Sequence, residues 1–133
     1  MGAWGTGFFE NDDALDWVYD LEESDDTTLI EESLRAIVES EEEYLEAPEC
    51  AMALAAAEVT AALKGMPRPG LTDEVKAWIQ HNKIKPDSNI VELALKAIAR
   101  IKSDSELKEL WDESEEASNW YQELDGLEKR LIR

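Results

Sequence analysis

The chain has 133 residues, one cysteine, and 32 acidic against 13 basic side chains, for a formal net charge of -19. That length suits one domain with a sizeable core. The charge argues against direct binding to nucleic acid or to an anionic membrane surface, both of which need Lys and Arg to neutralise them, and no apolar run approaches the roughly 20 residues that span a bilayer.

The pattern along the chain predicts helices throughout. Residues 1–10 are expected to form an arm of glycines and aromatics that packs on the rest. Asn11 caps a first helix, with Asp12 and Asp13 at the positive end of its dipole. There Ala14, Trp17, Val18 and Leu21 share one face, and Asp13, Asp16, Asp20 and Glu23 share the other. Thr28 and Glu31 have capping-box spacing for a second helix, striped by Ile30, Leu34, Ile37 and Val38 and extending toward Tyr44 and Leu45. Pro48 suits the first turn of a third. From Ala51 to Leu63 that helix is apolar nearly all round, which places it at the centre. Gly65 is expected at its C-terminus.

Thr72 opens a short fourth helix carrying Val75, Trp78 and Ile79. A fifth follows Pro86 with Ile90, Leu93, Ala94, Ala97, Ile98 and Ile101 at helical spacing. Ser103 and Glu106 are a second capping-box pair. The last helix carries Leu107, Leu110, Trp111, Ala117, Tyr121 and Leu124, and Gly126 is expected to break it. No stretch alternates apolar and polar residues as a half-buried strand does. The expected architecture is a single all-α domain over residues 1–133, a compact bundle of about six helices with an N-terminal arm.

Charge is unevenly spread. Residues 1–63 hold 18 acids and one base, residues 64–102 hold 4 acids and 8 bases, and residues 103–125 hold 9 acids and one base. A surface so acidic repels nucleic acid and steers basic partners.

The opening is the most distinctive segment. Gly2, Gly5 and Gly7 surround Trp4, and Phe8, Phe9 and Glu10 lead into Asn11 and Asp12. The spacing is not that of a dinucleotide-binding loop, and no strand precedes it. A structural part is expected instead, with Trp4 and Phe8 plugged into the bundle. With Ala14-Leu15-Asp16-Trp17 behind it, this opening resembles a bacterial domain-of-unknown-function family, number 4259. Gly2, Trp4, Gly5, Gly7, Phe9, Glu10, Asn11 and Asp12 carry the match, and the length and alanine-rich middle fit as well. The resemblance implies a small bacterial cytosolic protein. It implies no activity and carries over no catalytic residue.

Chemistry-bearing residues are sparse. His81 is the only histidine and sits near the end of a helix. Cys50 reads as a small buried hydrophobe; a single cysteine forms no intramolecular disulfide and suits a reducing cytoplasm. One His and one Cys do not make a zinc site. Asp12, Asp16 and Asp20 share a face, yet no EF-hand pattern is present, so neither metal nor cofactor is expected. Glu58 lies in the apolar third helix, where an unpaired carboxylate is costly; it either faces an edge or pairs with Arg35 or Arg100. Of the Trp120–Tyr121 pair one member is expected at the surface.

These features favour a protein-binding module that engages a basic protein partner, of the immunity or inhibitor kind. The candidate surface is Asp13, Asp16, Asp20, Glu23 and Trp120. The alternatives are a structural homo-oligomeric subunit and, ranked last, a carboxylate- or metal-dependent enzyme.

Overall fold

The computed structural model describes Gly5 and residues 7–133. Among these residues the chain forms seven helices and no strand: α1 (Asp12–Glu22), α2 (Thr28–Val38), α3 (Ala47–Leu63), α4 (Asp73–Asn82), α5 (Ser88–Ser103), α6 (Glu106–Asp112) and α7 (Ala117–Ile132). None is long and apolar enough to cross a membrane.

The alanine-rich α3 is the axis. Twelve of its side chains are buried, and it packs against each of the other six helices. Small side chains allow that close approach from every side. Larger apolar residues of the neighbours then fill the space: Trp17 and Leu21 from α1, Leu34 and Ile37 from α2, Ile98 and Ile101 from α5, Leu124 and Leu127 from α7. The two indole N–H groups that enter from α1 and α4 are both satisfied. Trp17 Nε1 donates to Ser33 Oγ at 2.8 Å, and Trp78 Nε1 to the Ser24 carbonyl at 2.7 Å.

Local chemistry sets the helix ends. Asn11 Oδ1 accepts from the Ala14 N–H at 2.8 Å, and Thr72 Oγ1 from the Val75 N–H at 3.3 Å. Past α3, Gly65 takes φ +87°, and the N–H groups of Gly65 and Met66 return to the carbonyls of Ala62 and Ala61. This is a Schellman closure, which needs the left-handed conformation that glycine adopts freely.

Both capping boxes are displaced from their expected positions. Thr28 is already helical; Asp26 Oδ1 accepts its N–H, and Thr27 Oγ1 donates to Glu31. Ser103 ends α5, and Ser105 is the cap of α6, accepting the Lys108 N–H and donating to the Ile101 carbonyl. Helix α2 stops at Val38, so Tyr44 and Leu45 lie in the connection that follows. Arg100 holds that connection by donating to the carbonyls of Ile37, Ser40 and Glu42. The expected sixth helix is two. Ser114 turns the chain between them, its Oγ accepting the Glu116 N–H, whereas Gly126 stays inside α7.

Of the arm, Phe8 and Phe9 are buried in the core. Gly2 and Trp4 lie outside the described residues.

Candidate functional site

Two groups of charged residues stand out, one inside the fold and one on its surface. The inner group lies where the arm, α3, the α3–α4 connection and α7 meet. Glu58 is buried, with only 1% of its side chain exposed, and it faces Arg130 in a bidentate pair with contacts of 2.9 and 2.8 Å. Arg130 also donates to the Met66 carbonyl at 3.3 Å. The expected partners lie elsewhere: Arg35 is 3.8 Å from Glu31 on the surface, and Arg100 is committed to carbonyls. Beside this pair, Arg68 forks onto Glu123 with two contacts of 2.8 Å. Glu123, then Glu58 and Glu10, raise the pKa of Arg68, so its charge is fixed.

The arm joins this cluster through Glu10. Its carboxylate accepts the Gly7 N–H at 3.0 Å, and the Glu10 N–H returns to the Gly7 carbonyl. A Cβ on Gly5 or on Gly7 would overlap the Glu10 carboxylate, and one on Gly7 would also press on the Arg68 guanidinium. A side chain at either position would make the Glu10 carboxylate shift and give up its contact with the Gly7 N–H, so Glu10, Gly5 and Gly7 act as one fastening. Asn11 supplies the cap next to it, Phe9 enters the core, and Asp12 is exposed in the first turn of α1.

Chemically this cluster is a clamp. Both Glu58 oxygens are engaged, and among the described residues no buried side-chain polar atom lacks a partner. Cys50 is buried, and burial pushes its thiol pKa up to about 12, against a lowering hydrogen bond from Ser105. A thiol so held is a poor nucleophile.

The outer group is the acidic face of α1. Asp16, Asp20 and Glu23 are exposed and Asp13 is half-buried. Tyr19, with 68% of its surface exposed, sits among them. Among the described residues none of these four acids forms an ion pair. The last turn of α1 contains no base, so Asp20, Glu22 and Glu23 stand at the negative end of the helix dipole, where acids are unfavourable. The face continues into an open cleft between α1 and α4, lined by Glu22, Asp25, Asp73 and Glu74, with Trp78 and the exposed His81 beside them.

Trp120 does not join this surface. Only 1% of it is exposed; it stacks on Trp111 with centroids 6.2 Å apart and meets Tyr121 edge-on at 5.1 Å. Tyr121 is the outer member of the pair, half-buried, with its hydroxyl donating to Asp112 at 2.7 Å. The aromatic stack needs side chains from both α6 and α7, so Trp120 is a core residue. Among the described residues no three His, Cys, Asp or Glu side chains converge as a metal site would require.

The family model for a domain of unknown function, DUF4259, matches residues 2–123. The chain belongs to that family. No curated protein and no solved structure matches it.

Proposed function

We propose that this member of the family is a protein-binding module whose acidic α1 face engages a basic protein partner, in the manner of an immunity protein or an inhibitor. The observation that carries this reading is the placement of Asp16, Asp20 and Glu23. They are exposed and form no ion pair among the described residues, and two of the three stand where the helix dipole disfavours them. Acids in those positions do not help the helix end, and an electrostatic contact with a basic surface is a use that fits them. The single buried thiol and the resemblance noted above support a place in the bacterial cytoplasm.

The test is a tagged pull-down from a bacterial lysate at low and high salt, with the wild-type chain beside a D16K/D20K/E23K variant. A stoichiometric basic protein should be captured by the wild type, released by salt and missed by the variant. Equal capture by both would remove the α1 face as the contact.

A further inference from the structure

Half-buried aliphatic side chains gather where the ends of α3, α4 and α7 meet the start of α5. Leu63, Ile79 and Ile84 line one open groove there, and Val91, Leu95 and Ile132 line a second. The grooves share Lys64 and Pro86 and so form one continuous surface. Ile132 is 71% exposed. A contiguous apolar surface rimmed by polar residues marks a place of contact. The charges around it identify that contact. Lys64, Lys83, Lys85 and Arg133 line the first groove, and no acid does, in a chain whose acids outnumber its bases 32 to 13. None of these four bases forms an ion pair among the described residues; Lys64 Nζ donates to the Leu131 carbonyl. The two acids of the second groove already have partners. Asp87 Oδ1 accepts the Ile90 N–H at 2.9 Å, and Glu92 lies 3.9 Å from Lys96. Lys83 also stands in left-handed backbone, φ 47°, which glycine or asparagine takes at lower cost. Local conformation therefore does not explain a lysine there.

We infer that this surface binds an acidic segment of a partner protein, whose aliphatic side chains fill the groove and whose carboxylates meet Lys64, Lys83 and Lys85. Carboxylates suit it better than the phosphates of a nucleic acid, because no aromatic ring lines either groove for a base to stack on. The net charge of -19 also repels a polyanion or an anionic bilayer. A short segment brings few charges against that field, and near 0.1 M salt, where the Debye length is roughly 10 Å, distant acids are screened while direct contacts persist. The apolar contact adds to the attraction. This surface is separate from the α1 face and takes the opposite charge, so neither assignment depends on the other.

The test pans the full chain, tagged at its N-terminus, against a phage library of random peptides at moderate salt. Enriched peptides should combine Asp or Glu with Leu, Ile, Val or Met. Fluorescence anisotropy of the most enriched peptide then reads Kd for wild type and for variants with native circular dichroism. K83G/K85Q removes two charges and relieves the left-handed backbone, so it should raise Kd about tenfold without lowering the melting temperature. I132S should raise Kd roughly threefold through lost apolar contact. K76Q removes a lysine of the same helix that does not line the grooves, and should leave Kd unchanged. Absence of enrichment overturns the inference, as does an acidic peptide that both groove variants bind as tightly as wild type. Enriched basic peptides overturn it too, and direct attention to the acidic α1 face instead. Pelleting of the chain with phosphatidylglycerol vesicles, with no peptide enriched, would make the surface a membrane contact and the inference wrong.

Discussion

At the scale of single residues, the Glu58–Arg130 pair shows both what spacing reveals and where it stops. A carboxylate in an alanine-rich, otherwise apolar helix announces itself, because leaving it unpaired inside a core is expensive. Its partner does not, because the spacing rules for helices relate residues a few positions apart and Arg130 lies 72 positions away. Trp120 fails in the same way, since its burial depends on Trp111 across a turn. Removing Arg130 alone strands the buried charge; Arg130→Ala should lower the free energy of unfolding by about 3–5 kcal/mol in urea titrations. The double change E58L/R130M, which removes both charges and keeps apolar volume, should cost much less than Arg130→Ala. Equal losses from both would mean that the pair is not the source of the stability. Cys50 gives a second residue-level expectation. Its thiol pKa is raised to about 12 in the folded chain against about 8.5 when unfolded. The folded state therefore retains a proton that the unfolded state releases, so the contribution is complete below pH 8.5 and disappears as pH rises toward 12. Wild type should lose more stability than Cys50→Ala across that interval, and iodoacetamide should label the thiol only after unfolding.

The helices themselves are largely legible, because apolar residues at three- and four-residue spacing identify α1 to α5 whatever they pack against. Their ends are less so. Two adjacent hydroxyl residues, as at Thr27 and Thr28, offer rival caps, and only the tertiary fold decides between them. The break between α6 and α7 carries no glycine or proline and rests on a Ser114 turn that spacing does not single out. Gly126 looks like a breaker and is not, because Leu124, Leu127 and Leu131 are each fully buried and hold α7 through it. Gly126 and Gly65 thus predict opposite outcomes for the same substitution. A Cβ at either meets nothing within 4 Å, yet Gly65 has φ +87°. Gly126→Ala should raise stability by roughly 0.5–1 kcal/mol through helix propensity. Gly65→Ala should lower it by about 1–2 kcal/mol, the cost of forcing a side chain into left-handed backbone. Thermal unfolding of the two variants beside wild type reads both signs.

Across the whole molecule, the sequence shows where charge is concentrated but not which charges remain free. Of the 18 acids in residues 1–63, Glu58 closes an internal pair and Glu10 fastens the arm, and neither fate can be told from composition. What the fold adds is that Asp16, Asp20 and Glu23 remain exposed on one face, without an ion pair among the described residues and partly opposed by the α1 dipole. A surface kept for binding rather than for folding has a measurable signature, since residues selected for function are commonly suboptimal for stability. In the D16K/D20K/E23K variant, like-charge repulsion falls and the last turn of α1 gains cations that suit its dipole. Its melting temperature should therefore exceed that of wild type at low ionic strength. The difference should shrink as salt shortens the reach of both effects, while capture of the basic partner is lost at every salt concentration. Thermal melts across a salt series, run beside the pull-down, separate the two quantities. A variant that loses binding and stability together would instead mark these acids as parts of the fold, and the acidic face would no longer be a reason to expect a basic partner.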